Sequence, residues 1–189
     1  MKIRKAQPSD LNSILKVYEI AREYMRKSGN PDQWGTDKPE KELLEDDIRK
    51  GELFVGEDDK GDIHFVFAFI LGDDPTYSYI ENGNWISDEP YGTIHRIASD
   101  GSVSGVVKTA VDYCKNTILN IRIDTHEKNK TMQHVVEKLG FVKCGIIYID
   151  DGTPRIAYQL LLTKLDWDNK IYKWRNIWTI IFQIKWIAF

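Results

Sequence analysis

The stretch IHRIASDGSVSGVVKT, residues 94–109, is the part of the sequence that decides how the rest of the chain is arranged. Ile94–Ser99 reads as a strand, residues 100–102 form a polar turn, and a helical pattern then continues as far as Cys114. A strand, a turn of small residues and a helix in this order place several backbone N–H groups at a helix N-terminus, where the helix dipole favours an anion. The stretch therefore predicts a site for a phosphate-bearing ligand, with an ordinary strand-to-helix turn as the alternative.

Periodicity on both sides of this stretch predicts a mixture of helices and strands. Apolar residues at helical spacing follow the cap cluster Pro8–Asp10, and similar patterns predict helices over residues 40–50 and 128–139. Alternating residues bounded by turn signals predict the strands. They span residues 1–6, 53–57, 63–71, 94–99, 119–125, 141–150 and 155–162. This order fits an α+β or α/β sheet that is covered on both faces.

The composition is that of an ordinary globular chain. With 189 residues, 42% of them hydrophobic and 29% charged, the chain is long enough to bury a core without disulfides or a metal. The net charge of −3 gives no indication of a nucleic-acid partner. Cys114 and Cys144 are too far apart in sequence to suggest a metal pair, and the opening segment MKIRKAQPSD is polar. We therefore expect no bound metal and a cytoplasmic location.

Residues 164–189 differ in composition from residues 1–163, so the chain is expected to consist of one domain and an apolar C-terminal appendage. The appendage holds four of the six tryptophans, and its five basic and two acidic residues give it a charge of +3, which leaves −6 for the rest. Its apolar run, residues 177–189, is too short to span a bilayer. It could pack on its own domain, on a second subunit or on a membrane surface. We expect a protein surface, and a homodimer, rather than a membrane.

Two segments resemble the sequence motifs of one enzyme family. NKTMQHVVEKLGF, residues 129–141, resembles the Asn-to-EKxGF helix of the GCN5-related N-acetyltransferases (GNAT), and HRIASDGSVSGVV is similar to their pyrophosphate motif. The resemblance extends over about residues 1–162. It implies the GNAT fold, a mixed and mostly antiparallel sheet flanked by helices. It also implies the transfer of acetyl from acetyl-CoA to a primary amine of a small molecule or peptide by direct attack.

The same resemblance implies where acetyl-CoA would bind. The cofactor residues would be Ile97, Ala98, Ser99, Ser102, Val103, Ser104, Gly105, Val106, Val107, Asn129 and Met132. A backbone N–H near Ile97 or Ala98 would donate to the oxyanion, so Ala98 also counts as a catalytic position. The match has departures. In the family pattern Gln/Arg-x-x-Gly-x-Gly/Ala only Gly105 fits well, because Ser102 lacks a long donor side chain and Val107 is β-branched.

His95 is the candidate general base, because an imidazole titrates near neutral pH and could accept the proton of an ammonium group. Strict alternation along the strand would place it on one face with Thr93, Ile97 and Ser99, and would place Ile94, Arg96 and Ala98 on the other. A purely structural role for this histidine is the alternative. Asp73, Asp74 and Glu81 could select a cationic amine, or could simply belong to a solvated loop.

Aromatic residues outside the motifs could wall a pocket for the acceptor. The candidate substrate-binding residues are Trp34, Tyr79, Glu81 and Trp85. Packing of the aromatic rings in the core explains the aromatic residues equally well. The sequence thus favours an acetyl-CoA-dependent N-acetyltransferase. The alternative is a non-catalytic module that binds CoA or a small ligand, because Val136 stands where the family often has a general-acid tyrosine.

Overall fold

The computed structural model describes residues 1–163, and the predicted appendage lies outside the described residues. The helices are α1 (Leu11–Lys27), α2 (Lys41–Lys50), α3 (Val106–Cys114) and α4 (Lys130–Lys138), with short 3₁₀ turns at Pro8–Asp10 and Pro75–Tyr77. The strands are β1 (Lys2–Lys5), β2 (Leu53–Glu57), β3 (Ile63–Leu71), β4 (Gly92–Ser99), β5 (Asn120–Thr125), β6 (Val142–Tyr148) and β7 (Pro154–Leu161). Among the described residues, no helix combines the length and the apolar character needed to cross a membrane.

The strands form one seven-stranded sheet in the order β1-β2-β3-β4-β5-β7-β6. Every neighbouring pair is antiparallel except β4 and β5, which run parallel. This parallel pairing covers only Gly92–Ile94 against Ile121–Ile123, so the two strands part beyond Ile94. The predicted fold class, a mixed and mostly antiparallel sheet flanked by helices, is confirmed.

Helices cover both faces of the sheet, as the strand patterns predicted. On one face α1 and α2 pack through Ile14, Tyr18 and Leu44 against the apolar residues of β2 and β3. On the other face α3 and α4 pack through Val111 and Val136 in a larger cluster, which contains the phenylalanines of β3 and the isoleucines of β5. The loop of residues 73–91 covers the α1/α2 face at its β5–β7 end through a third, aromatic cluster.

A β-bulge interrupts β4 at the centre of the sheet. Ala98 pairs with Val66 and His95 with Ala68, so Arg96 and Ile97 together stand opposite Phe67. Arg96 adopts a φ of 53°, and two hydrogen bonds from its guanidinium to Asp47, at 2.7 and 3.0 Å, hold it there. The predicted strict alternation is therefore wrong beyond His95, because the extra residue reverses the pleat.

The packing of the two ends of β4 shows this reversal. Ile94 lies in the cluster under α3 and α4, whereas Ala98 lies in the cluster under α1 and α2. Strict alternation would have put both on one face. The bulge lies where β4 loses β5 as a neighbour, so it adds a local twist at the point where the sheet opens.

Candidate active site

A cavity of about 450 Å³ lies where β4 and β5 part. Its walls come from the loop between α1 and α2, the turn after β3, the two parting strands, the start of α4 and the β6–β7 turn. Of the residues considered for a site, it is lined by Trp34, Asp74, His95, Ile97, Asn129 and Met132. The structure thus brings the candidate base, part of the motif strand and part of the EKxGF helix together in one cavity.

His95 lies in this cavity between two carboxylates. Its Nε2 is 2.8 Å from Oδ2 of Asp74, which is hydrogen-bond distance, and its Nδ1 is 3.8 Å from Oδ1 of Asp124. The ring of Tyr77 meets the imidazole edge-on, with centroids 5.7 Å apart. The side chains of His95, Asp74 and Asp124 are all mostly buried. The hydrogen bond to Asp74 orients the imidazole, and the two carboxylates would stabilise a positive charge on it.

The 3₁₀ turn at Pro75–Tyr77 holds both carboxylates in place. Asp74 caps the turn, accepting hydrogen bonds from the N–H of Thr76 at 2.9 Å and its hydroxyl at 2.7 Å. Tyr77 donates its hydroxyl to Oδ1 of Asp124 at 2.7 Å. Burial alone would raise the pKa of Asp74, but the hydrogen bonds from His95 and Thr76 outweigh it and lower the pKa to about 2. Asp74 is therefore ionised at neutral pH.

Positive side chains in the cavity wall are paired with carboxylates. Arg96 is hydrogen-bonded to the buried Asp47 at 2.7 Å, and Arg155 Nε lies 3.9 Å from Oδ2 of Asp124. Asp74 has no cationic partner other than His95 among the pairs that involve described residues. The cavity thus presents carboxylates around the imidazole.

Asn129 and the loop after α1 form the side of the cavity near α4. The side chain of Asn129 accepts from the N–H of Met132 at 3.1 Å, as a helix cap, and donates to Oε1 of Gln33 at 3.0 Å. Trp34 packs edge-on against Tyr18 of α1. Asn129 therefore fixes the turn that leads into α4.

The loop between β4 and α3 lies outside the cavity lining, at the exposed start of α3. Gly105 is the N-cap residue with a φ of 72°, and nothing lies within 4 Å of the position where a Cβ would stand. The first N–H groups of a helix have no intrahelical acceptor, and none of the described residues accepts from those of Val106 and Val107. This donor set fits the pyrophosphate of acetyl-CoA.

Ser102 makes its hydrogen bonds within the protein, so it is not placed to donate to a phosphate. Its N–H and hydroxyl both donate to Oδ1 of Asp100, at 2.9 and 2.6 Å, and its hydroxyl lies 2.8 Å from Nδ1 of His64. Burial would raise the pKa of Asp100, but the hydrogen bonds from Ser102 and His64 outweigh it and lower the pKa. The free donors of this loop therefore come from the backbone of α3 rather than from Ser102.

Other predicted site residues lie away from the cavity. Tyr79 is 63% exposed, and Glu81 forms an isolated bridge with Ile146 on β6. Trp85 stacks on Tyr77 with centroids 5.4 Å apart, and the guanidinium of Arg122 lies 3.9 Å from its ring. Ala98 packs beneath α1. The remaining predicted residues, Ser99, Val103 and Ser104, also lie outside the cavity lining.

The sequence reasoning missed Asp124, which lies beside the candidate base, and Arg155, which lies beside Asp124 in the cavity wall. A signal for Asp124 was present, because LNIRIDT alternates apolar residues with Arg122 and Asp124. A charged side chain at the buried centre of a strand pattern has to meet a partner. The partner could not be read from the sequence, since it depends on β5 lying beside β4.

Comparison with solved structures places this architecture among known enzymes, whereas no protein-family model and no curated protein matches the sequence. A GNAT-family acetyltransferase from Streptococcus agalactiae is 35% identical, with a TM-score of 0.78, and the match covers 86% of this chain and 96% of that one. A GNAT-family acetyltransferase from Listeria monocytogenes has the same fold at 20% identity, with a TM-score of 0.64, over 85% of this chain and 94% of its own. The chain belongs to the GNAT family of acetyltransferases.

Proposed function

We propose that this acetyltransferase moves the acetyl group of acetyl-CoA to a primary amine of a small molecule or peptide, and that the acceptor binds in the cavity beside His95. The observation that carries the proposal is the position of His95 in a cavity at the point where β4 and β5 part. An amine is protonated at neutral pH and becomes a nucleophile only after it loses a proton. The imidazole is a group that can take this proton.

Two parts of the structure would take part in binding acetyl-CoA: the start of α3 and the cavity. The backbone N–H groups at the start of α3 would hold the pyrophosphate, and Asn129 would keep the entrance to α4 in place. Acetyl-CoA supplies the thioester carbonyl that a neutral amine attacks. Ile97 lies in the bulge, where one residue is left out of the strand ladder, so its N–H is the candidate oxyanion donor.

The carboxylates of the cavity support an amine as the acceptor. Asp74 and Asp124 surround His95, and a charged ammonium would be attracted to them before it is deprotonated. Their negative charge equally disfavours an anionic acceptor. This supports a primary amine over a hydroxyl or carboxylate acceptor.

A thiol-release assay with acetyl-CoA and a panel of primary amines tests the proposal. We expect turnover of at least one amine, and a loss of roughly a hundredfold or more in kcat when His95 is replaced by Ala, the usual scale for a positioned base. The matched control is His134→Ala, since His134 is an exposed residue on α4. Binding of CoA without turnover of any amine would instead favour the non-catalytic module.

A further inference from the structure

The two nitrogens of the His95 ring have different surroundings. Nε2 is 2.8 Å from Oδ2 of Asp74, a direct hydrogen bond, whereas Nδ1 is 3.8 Å from Oδ1 of Asp124, which is too far for one. The Nε2 side of the ring is therefore hydrogen-bonded to the protein. The other side faces a carboxylate across a gap, inside the cavity.

The proton that joins His95 to Asp74 belongs on Nε2. Asp74 Oδ2 can only accept, because a carboxylate that is ionised carries no proton to donate. Its Oδ1 is already an acceptor for the N–H and the hydroxyl of Thr76. In the neutral ring the proton then occupies Nε2, and Nδ1 carries the lone pair.

Within residues 1–163, no side chain or backbone group donates a hydrogen bond to Nδ1 of His95. Oδ1 of Asp124 accepts the hydroxyl of Tyr77, which fixes the carboxylate, and Arg155 lies on the side of the other oxygen at 3.9 Å. Arg96, the next residue along β4, is turned to Asp47 on α2. A lone pair and a carboxylate oxygen that face each other favour a ligand with several N–H donors. An ammonium group is such a ligand.

We infer that Asp74 is a positioning residue that keeps the proton of His95 on Nε2, so that the acceptor ammonium contacts both Nδ1 of His95 and Oδ1 of Asp124 from the cavity and gives its proton to Nδ1. This inference rests on the proposed acetyl transfer. In the step one N–H bond of the ammonium breaks and its electron pair stays on the amine nitrogen. The proton forms a new N–H bond at Nδ1. The resulting imidazolium lies between two carboxylates, which stabilise its charge.

The tautomer itself can be measured without turnover. Nitrogen-15 NMR of the free protein, recorded at a pH high enough for the ring to be neutral and with the His95 signals assigned by their loss in His95→Ala, should show the ring protonated at Nε2. In Asp74→Asn, which keeps the shape and the capping oxygen but not the charge, the Nδ1-protonated form should appear. A wild-type ring protonated at Nδ1, or a tautomer that does not change in Asp74→Asn, would overturn the inference.

Kinetics with a turned-over amine test the role in the reaction. Asp74→Asn should lower kcat by about tenfold or more and move the acid limb of the pH–rate profile to lower pH, because loss of the carboxylate disfavours the imidazolium. Asp59→Asn is the control for the same chemical change, since Asp59 is exposed in the β2–β3 turn and does not line the cavity. Its rate and profile should equal those of the wild type.

A double variant separates action through His95 from a structural effect. If Asp74 acts through His95, the Asp74→Asn substitution should lower kcat no further in a His95→Ala background. If the two substitutions instead lowered kcat by the product of their separate effects, the inference would be contradicted. A wild-type rate and profile in Asp74→Asn, with His95→Ala impaired, would also reject the role of Asp74 while leaving the amine acetylation intact. Failure of all amines would reject the proposed function, and the NMR measurement would still decide the tautomer.

Discussion

Gly105 shows how a single residue can test where the coenzyme binds. Its φ of 72° favours glycine, but Asn and Asp tolerate this region better than other residues, and a Cβ here would meet nothing within 4 Å. Gly105→Asn and Gly105→Asp therefore have nearly the same shape and the same backbone demand. They differ by one negative charge at the start of α3.

We expect Gly105→Asp to bind acetyl-CoA at least tenfold more weakly than Gly105→Asn, equivalent to roughly 1.4 kcal/mol. The added carboxylate would repel the pyrophosphate that the N–H groups of Val106 and Val107 are proposed to hold. Isothermal calorimetry of both variants measures the difference. Equal affinities would mean that the pyrophosphate does not bind at the start of α3.

At the scale of elements, the loop of residues 73–91 depends on a close contact with β6. Glu81 and Ile146 exchange two backbone hydrogen bonds, at 2.8 and 2.9 Å. A Cβ on Gly83 would stand 1.9 Å from the carbonyl oxygen of Cys144, a backbone atom that cannot move aside alone. Only a glycine at residue 83 allows the loop to lie against the strand.

We therefore expect Gly83→Ala to separate the loop from β6 and to lower the free energy of unfolding by about 1–3 kcal/mol, the usual cost of overpacking. Hydrogen exchange should show lost protection of the amides of Glu81 and Ile146. Asn84→Ala is the control, because Asn84 is an exposed residue of the same loop that already carries a Cβ. Retained protection in Gly83→Ala would contradict the expected separation.

The elements were predictable from sequence where the pattern is local. The predicted bounds of β2 and β3 agree with the structure, since alternating apolar residues between turn signals determine them. The bulge at Arg96 was not predictable. A positive φ at a non-glycine residue leaves no mark in the sequence, and here contacts with Asp47 of a distant helix hold it.

The candidate site was predictable only in part for a related reason. His95 and Asn129 belong to motifs with a fixed spacing, and both line the cavity. Trp85 and Tyr79 belong to a loop without periodicity, so their sequence did not distinguish a pocket wall from core or surface. The stacking of Trp85 with Tyr77 and Arg122 is a long-range consequence of where the loop lies.

At the scale of the whole molecule, the homodimer remains a prediction from the tryptophan-rich residues 164–189. Each covered tryptophan buries on the order of 150–250 Å², so four of them could contribute several kcal/mol to an interface. We expect the 189-residue chain to be a dimer in light scattering. The same chain truncated after Leu162 should be monomeric or should aggregate.

Two results would contradict packing of residues 164–189 on a second subunit. If the 189-residue chain were monomeric, packing of residues 164–189 on their own domain would be the remaining possibility. Partition of the chain onto lipid vesicles, lost on truncation after Leu162, would instead favour the membrane surface. The truncated chain retains every helix and strand of the described domain, so its folding can be checked independently by circular dichroism.

The turn formed by Asp74 and Pro75–Tyr77 has a consequence for how such a protein could diverge. These four consecutive residues hold the partners on both sides of His95, and they lie in a loop outside the sheet. Loops accept insertions and exchanges more readily than strands. A descendant could therefore acquire new chemistry around His95 by exchanging one short loop, while the sheet and the start of α3 are inherited unchanged.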